Sequence, residues 1–218
     1  MVKIDLHIHT KYSKCAFIEP HDLVAHAKAI GLEGIAITDH NSTEAVKEVK
    51  KLAKEAGLIF IPAIEVRSAQ GDIVGLGIEK VIPKGLSAAE TISQIHKLGG
   101  LAIAVHPYAF LFHRHSVGDL IKSLNFDAIE VFNSRNLKGN KKANRIATEL
   151  KKSKTAGSDA HSFEEIGSAY TIVDSSPNIE AILNAIKKGR TRTIGKRIEL
   201  KVAFKYCIKR VNSLIFSK

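Results

Sequence analysis

The chain has 218 residues, of which 44% are apolar and 25% are charged, so it is long enough to fold as one large α/β domain with a sizeable core. It contains no run of about 18 apolar residues, which predicts a protein without a transmembrane segment. Its two cysteines, Cys15 and Cys207, are too few for a disulfide framework, and the first residues do not resemble a secretory signal. We therefore expect a cytoplasmic protein.

The net charge of +11 would attract nucleic acid or other polyanions through a long-range field. Much of the excess lies after residue 138, in the segments KGNKKANR, KKSK and KKGRTRTIGKR. Charge runs of this kind also form ordinary solvated helix faces. Nucleic acid is therefore one of two interpretations, and no feature of the sequence indicates an oligomeric state.

Apolar runs alternate with amphipathic helical patterns along the chain. The strand-like runs are residues 3–8, 34–39, 58–66, 72–78, 101–106, 128–133, 154–159 and 169–174. The helical patterns lie at about residues 20–31, 43–57, 87–98, 116–124, 139–152 and 177–189. The first of them starts at Pro20 and ends at Gly31, in keeping with the usual start and stop signals. This alternation predicts βα units around a mainly parallel sheet or barrel.

Residues able to bind a metal follow the ends of most predicted strands. His7 and His9 lie two apart in the first strand and therefore point to the same face. Later strands end in further candidates: Asp39 with His40, Glu65, His106, Asn133, and Asp159 with His161. Because the carboxyl ends of parallel strands share one rim, these side chains are expected to converge there. Each alone could be a turn or capping residue, but the repeated position favours a metal site.

The types of these residues indicate which metals they would hold. Imidazole and carboxylate ligands without thiolates suit Zn, Mn or Fe. Seven such ligands exceed the need of one tetrahedral ion, so we expect two to three divalent metal ions. A multinuclear centre clamps a phosphate and activates water, which predicts hydrolysis of a phosphate ester.

Five segments in a fixed order resemble successive motifs of the PHP family, named for polymerase and histidinol phosphatase. They are DLHIHTKYS, GIAITDHN, IPAIEV, AVHPY and GSDAH, between residues 5 and 161. The resemblance implies a distorted (β/α)7 barrel, similar to a TIM barrel, with a trinuclear metal centre at the carboxyl ends of the strands. Members of the family are mostly metal-dependent phosphoesterases: histidinol phosphatases, nucleotide phosphatases, exonucleases and polymerase-associated domains.

The resemblance also implies roles for the matching residues on the first two metals. His7 and His9 correspond to the pair on the first metal, which Asp159 completes. Glu65 corresponds to the carboxylate that bridges two metals, and His106 to a ligand of the second metal.

The third metal and one position near the second depart from the family pattern. His40 and His161 correspond to ligands of the third metal. Where many members have a further acidic residue or histidine, this chain has Lys14 and Cys15, and Cys15 could bind as a thiolate. Asp72 stands where many members have a histidine, and it could still bind Mn, Fe or Zn.

Three residues are expected to act in catalysis: Asp159, His161 and Arg135. Arg135 follows the sixth strand, and its planar fork could bind a substrate phosphate, although a surface arginine is the alternative. Asp5 and Asp39 match no ligand and are expected to orient imidazoles. The segment AFLFHRHS at residues 109–116 either covers the site and stacks on a base or packs on the barrel as a helix.

These features predict a metal-dependent phosphoesterase that uses a metal-activated water on a phosphate ester. The expected partner is a phosphorylated small molecule or a nucleotide. One alternative is a nuclease that acts on single-stranded nucleic acid, which the net charge of +11 favours. Another is a non-catalytic PHP-type binding module, which Lys14 and Asp72 favour.

We expect two parts in the chain: a PHP-type barrel domain at residues 1–198 and a C-terminal amphipathic helix at residues 199–218. The apolar residues of the second part recur three and four positions apart. They are Leu200, Ala203, Phe204, Cys207, Ile208, Val211, Leu214 and Ile215. We expect this apolar stripe to dock on the barrel wall. A dimer contact and a helix lying on an anionic membrane surface are the alternatives.

Overall fold

The computed structural model of the chain describes residues 1–109, 115–136 and 138–216. Within these ranges there are nine strands: β1 Val2–Ile8, β2 Gly34–Ile37, β3 Ile59–Ser68, β4 Gly71–Leu76, β5 Leu101–Ala104, β6 Ala128–Asn133, β7 Ser153–Gly157, β8 Ala169–Val173 and β9 Thr191–Gly195. The same ranges contain six α-helices: α1 Pro20–Ala29, α2 Val46–Ala56, α3 Ala88–Lys97, α4 Asn140–Glu149, α5 Ile179–Lys187 and α6 Leu200–Phe216. Two short 3-10 helices lie at Gly118–Lys122 and Phe163–Glu165.

The nine described strands form one sheet in the order β7-β6-β5-β4-β3-β2-β1-β8-β9. Strands β1 to β3 run parallel to one another, as do β5 to β7, whereas β4, β8 and β9 are antiparallel to their neighbours. The sheet curls until the chain beyond β7 meets β1. There, His9 N donates to Ala160 O at 3.0 Å and Asp159 N donates to His7 O at 2.7 Å. This nearly closed, barrel-shaped α/β sheet confirms the predicted fold class.

The strict alternation of a (β/α)7 barrel is interrupted at β3 and β4. These two strands form an antiparallel hairpin, in which Ser68 pairs with Gly71. Gly71 has a φ of 150°, and a Cβ there would lie 2.5 Å from the backbone nitrogen of Val117, so the turn requires glycine. Because β4 runs against β3, its first residues lie on the same rim as the carboxyl end of β3. The hairpin thus brings Asp72 to that rim.

Two further elements differ from the sequence prediction. The pattern at residues 116–124 forms the 3-10 helix Gly118–Lys122 and not an α-helix. The stretch Thr191–Gly195 was not predicted as a strand, but it pairs with β8 as β9.

Apolar side chains fill three clusters that leave the rim to polar residues. One cluster joins the sheet to α5 and includes Leu6, Val74 and Ile103. The other two lie beneath α1 and α2 and beneath α3 and α4. Because helices cover the sheet, strands such as GIAI and LAIA are buried at every position, which explains their continuous apolar sequences.

Helix α6 meets the barrel beside the rim. Tyr206 Oη donates to the carbonyl of Cys15 at 3.0 Å, and Arg210 Nη1 donates to the carbonyl of Lys14. The Tyr206 ring also packs edge-on against His161, with 5.7 Å between ring centroids. The helix is therefore attached through Tyr206 and Arg210, one turn apart on the same side.

The apolar stripe of α6 does not dock on the barrel wall as expected. Leu200 is 84% exposed and Phe204 is 67% exposed, and within the stripe only Ala203 and Cys207 are half-buried. Tyr206 lies on a different side of the helix from the apolar stripe, so attachment through Tyr206 leaves the stripe facing outward. The division of the chain at residue 198 stays a prediction. No helix among the described residues is both long and apolar enough to cross a membrane.

Candidate metal centre

His7 and His9 lie at the carboxyl end of β1, and both are buried. Strand alternation places them on one face, with 5.3 Å between their ring centroids. Their Nε2 atoms lie 3.5 and 3.2 Å from the same oxygen, Asp159 Oδ1. They also lie 3.6 Å from Glu65 Oε1 and 3.4 Å from Glu65 Oε2, respectively. The predicted pair thus faces two carboxylates.

Glu65 projects from β3 between the imidazoles and is fully buried. Its Oε1 lies 3.0 Å from His106 Nε2, and its Oε2 lies 2.8 Å from His40 Nδ1. Burial alone would raise the pKa of this carboxyl, but His40 and His106 outweigh it and hold the pKa well below its usual range. In return, Glu65 outweighs the effect of burial on His40 and raises the pKa of that imidazole to about 11. Glu65 therefore connects histidines from several strands.

Asp159 and His161 follow β7, where the chain crosses to β1. Asp159 has a φ of 56°, and His106, which follows β5, has a φ of 31°. Residues other than glycine rarely adopt this left-handed backbone, and such strain concentrates at functional sites. His161 Nδ1 lies 2.8 Å from the carbonyl of Asp159. Burial and the neighbouring Arg135 hold the pKa of His161 well below its usual range.

Among the described residues, the candidate ligands form four overlapping groups, and within each group the ligand atoms lie within 4.8 Å of one another. The groups are His7, His9 and Glu65; His7, His106 and Asp159; His9, His40 and His161; and Glu65, Asp72 and His106. Several buried atoms in these groups make no hydrogen bond of acceptable geometry to another described residue: His7 Nε2, His9 Nε2, His40 Nδ1 and Glu65 Oε2. Buried polar atoms are nearly always paired, so facing atoms that lack hydrogen bonds fit bound cations. The donor set suits divalent metals that accept nitrogen and oxygen.

Two residues that the sequence prediction missed hold the first histidine pair. Glu130 Oε1 lies 2.9 Å from His7 Nδ1. Ser13 Oγ lies 3.2 Å from His9 Nδ1 and donates its proton to Asp39 Oδ1 at 2.7 Å, so it accepts from His9. Both imidazoles therefore direct Nε2 towards the cluster, as metal-binding histidines do.

The two aspartates that were expected to orient imidazoles act differently. Asp39 acts on His9 only through Ser13, and it also accepts from the backbone and hydroxyl of Thr10 at 2.8 and 2.6 Å. For Asp5 the expectation was wrong, because among the described residues its carboxylate accepts from backbone N–H groups and from no imidazole. These donors are His7 N at 3.3 Å, Ser158 N at 3.0 Å and Gly167 N at 3.0 Å. Asp5 thus fixes the backbone where β1 meets the turn after β7.

The two departures from the family pattern lie in different surroundings. Asp72 is buried, and one of its carboxylate oxygens lies within 4.8 Å of ligand atoms of Glu65 and His106. Arg67 Nε donates to Asp72 Oδ1 at 3.2 Å. Burial and the charge of Glu65 raise the pKa of Asp72. Cys15 lines the same cavity as His40 and contributes to the raised pKa of that imidazole, but none of the four groups found among the described residues includes it. Ligand roles for Asp72 and Cys15 stay predictions.

A cavity of about 240 Å³ opens over the cluster, and Arg135 lines it. This arginine is only 6% exposed, and its Nη1 donates to both oxygens of Glu165 at 2.8 and 3.0 Å. Its guanidinium lies 4.2 Å from the centre of the Tyr206 ring, and its Nε makes no hydrogen bond within the described part of the chain. Arg135 is thus a buried cation at the mouth of the site and not a surface arginine.

A second, wider groove of about 660 Å³ adjoins this cavity and shares Cys15, His40 and Arg67 with it. Its basic lining residues are Lys14, Arg67, Lys84 and Arg210. Phe110, Phe112, His113 and Arg114, from the aromatic segment of the sequence prediction, lie outside the described residues.

Similarity to known proteins extends along most of the chain. Residues 138–191 match the family model described as PHP-associated. The chain is 43% identical over 162 residues to an uncharacterised protein of Methanocaldococcus jannaschii, a match that covers 68% of this chain and 94% of that protein. It is 32% identical over 98 residues to a 3',5'-nucleoside bisphosphate phosphatase of Chromobacterium violaceum, which covers 43% of this chain and 34% of that protein.

Solved structures share the fold. A two-domain protein of Bacteroides vulgatus that contains a predicted PHP-like metal-dependent phosphoesterase superimposes with a TM-score of 0.75. The match covers 96% of this chain and 69% of that chain at 17% sequence identity, so it speaks for the fold alone. The match to the PHP-associated model at residues 138–191 and the ordered histidine motifs identify the chain as a member of the PHP family, and the shared fold agrees with this.

Proposed function

We propose that this protein is a metal-dependent phosphoesterase that hydrolyses a phosphate ester of a small metabolite or a nucleotide. The observation that carries the proposal is the cluster of five histidines with Glu65 and Asp159, in which four facing atoms make no hydrogen bond of acceptable geometry among the described residues. These atoms are His7 Nε2, His9 Nε2, His40 Nδ1 and Glu65 Oε2. A set of this kind would be costly to bury without cations. The phosphatase from Chromobacterium violaceum, although matched over a short stretch, supports the same class of reaction.

The four ligand groups would hold two to three divalent ions, with Mn, Zn or Fe as candidates. When bound, such ions would lower the pKa of water and neutralise charge on a phosphate. Glu65 belongs to two of the groups and would bridge two ions. His161 would stay neutral because of its low pKa, which keeps a ring nitrogen free to bind metal.

Arg135 would bind a non-bridging phosphate oxygen through its Nε, which makes no hydrogen bond to any described residue. Glu165 and the Tyr206 ring hold the guanidinium in place, so it would need little reorganisation when a phosphate arrives. The cavity of about 240 Å³ has room for a phosphate and part of its leaving group.

The test is hydrolysis of an aryl phosphate by protein loaded with Mn. Asp159→Asn keeps the shape of the side chain but removes a carboxylate from the His7 and His106 group, and activity should fall on the order of a hundredfold or more. Asp22→Asn on α1, where the carboxylate is 59% exposed, is the matched control and should leave the rate unchanged. Activity that survives both a chelator and Asp159→Asn would overturn the proposal.

A second candidate is a nuclease for single-stranded nucleic acid, which the basic groove favours. Lys14, Lys84 and Arg210 line it beside the metal cluster, where they could follow a phosphate backbone. The test compares product release from single-stranded oligonucleotides and from mononucleotides over a series of salt concentrations. Oligonucleotide affinity that does not fall with salt would exclude this candidate.

A further inference from the structure

Six large apolar side chains of α6 form a continuous solvent-exposed face, here called the outer face of α6. They are Leu200, Phe204, Ile208, Val211, Leu214 and Ile215, each between 47% and 84% exposed. They make up half of the twelve large apolar side chains that are exposed in the described part of the chain. Single exposed apolar residues are ordinary, but a contiguous patch marks a surface that contacts something else.

The barrel cannot cover this face, because α6 is already attached through a different side. Tyr206 and Arg210 bond to the carbonyls of Cys15 and Lys14. Lys209 Nζ also lies 4.6 Å from the centre of the Phe17 ring. The helix is thus held in position while its outer face points away from the barrel.

The charge around the outer face is almost entirely basic. Residues 196–216 contain six basic side chains, Lys196, Arg197, Lys201, Lys205, Lys209 and Arg210, and one acidic side chain, Glu199. Lys201 and Lys205 follow one edge of the outer face, one turn apart, and Glu199 pairs with Lys201 at 2.7 Å. An apolar face bordered by lysines is typical of helices that lie in a bilayer interface, with the lysine ends among anionic headgroups.

We propose that the outer face of α6 binds the surface of a bilayer that carries anionic phosphate headgroups. A second copy of the chain would bring the same basic residues and a further charge of +11 to the contact, so it is the less favourable occupant. The helix has 17 residues and would be about 25 Å long, which suits lying in the interface and not spanning the bilayer. This binding is independent of the reaction in the metal centre.

The test is co-sedimentation of the full chain with vesicles of phosphatidylcholine, with and without phosphatidylglycerol. Binding should require phosphatidylglycerol and weaken with salt. The triple variant Phe204→Gln, Ile208→Gln and Val211→Gln should bind the vesicles with an affinity at least about tenfold lower, because each substitution removes apolar area that the bilayer would bury. The triple variant Lys196→Glu, Lys201→Glu and Lys205→Glu should bind them with an affinity about a hundredfold lower.

The matched control carries the same charge change on another exposed helix face: Lys47→Glu, Lys51→Glu and Lys54→Glu on α2. It should keep most of the binding. All substituted side chains are exposed, so melting curves of the variants should overlay that of the wild type.

Three results would overturn the proposal. The first is a wild-type chain that stays in the supernatant with phosphatidylglycerol vesicles. The second is an α2 variant that loses as much binding as the lysine variant of α6, which would indicate net charge alone. The third is a dimer in light scattering that the glutamine variant converts to a monomer, which would assign the outer face to a second copy.

Discussion

Glu130 Oε1 lies 2.9 Å from His7 Nδ1, on the side of the imidazole that faces away from Glu65 and Asp159. The other oxygen of Glu130 accepts from the backbone nitrogen of His106 at 2.8 Å. One carboxylate in the middle of β6 therefore orients two histidines of the cluster. Burial lowers the pKa of His7, but Asp159 and Glu130 outweigh it and raise the pKa well above its usual range. A metal ion would thus compete with a proton at His7 Nε2.

Glu130→Gln should weaken metal binding about tenfold to a hundredfold, because the amide holds the ring less firmly and lowers its basicity. Competition with a metal-binding dye measures the change. Glu164→Gln, at an exposed carboxylate on the 3-10 helix Phe163–Glu165, is the control and should bind metal as the wild type does. Equal affinities in both variants would contradict the role of Glu130.

Gly157→Ala should disturb the same histidine at its Cβ. A Cβ at Gly157 would overlap the Cβ of His7 and come within 3.1 Å of Glu130 Oε1. We expect a loss of about 1–3 kcal/mol in stability together with weaker metal binding. Gly195→Ala would overlap the Phe132 ring instead, so it should cost stability without changing metal affinity. Chemical denaturation and dye competition on both variants separate the two effects.

Asp5 gives the fold of the metal-free protein a specific pH dependence. Burial raises its pKa from 3.8 to about 6, although the bonds from Ser158, Gly167 and His7 oppose the shift. The folded state therefore binds the Asp5 proton more tightly than the unfolded state. This contribution to stability is complete below about pH 4 and is lost as the pH rises through about 6.

Asp5→Asn cannot titrate, so it isolates this contribution. From pH 3 to pH 7, the free energy of unfolding of the wild type should fall by about 3 kcal/mol relative to the variant. Urea denaturation in the presence of a chelator, repeated at several pH values, measures the difference. A difference that stays constant over this range would show that Asp5 does not titrate in it.

Arg135→Lys should lower kcat/KM for a phosphate ester by on the order of tenfold or more, because lysine keeps the charge but loses the planar fork. It should also raise the KM of the reaction, since a phosphate contact would be weaker. Arg190→Lys, at an exposed arginine after α5, is the control. An unchanged kcat/KM in Arg135→Lys would mean that the guanidinium serves only to pair with buried Glu165.

The parts of the site that could be predicted from sequence were those with a local pattern. His7 and His9 alternate along β1, and Glu65, His106 and Asp159 follow apolar runs, so their convergence followed from the parallel arrangement of strands. Glu130 has the same kind of signal, an acid within the apolar strand AIEVFN, because a buried carboxylate needs a partner. The partner lies 123 residues away, and the sequence does not indicate which side chain it is.

Other features depend on long-range contacts that no local pattern carries. Periodicity identified the apolar stripe of α6 but not the side of the helix that contacts the barrel. That side is set by Tyr206, which packs on Arg135 and His161. Asp72 reaches the rim only because β4 turns back along β3 as a hairpin. The sequence does not predict the role of Ser13, because a hydroxyl four residues after His9 does not indicate which imidazole it would hydrogen-bond.

The proposed metal centre is tested most directly by titrating the metal-free protein with Mn while phosphate release from an aryl phosphate is recorded. A centre of two to three metal ions predicts no release without metal and a rate that saturates at about two to three equivalents per chain. Release that is independent of Mn, or metal uptake that ends below about one equivalent per chain, would contradict a multinuclear hydrolytic centre and would favour a non-catalytic binding module.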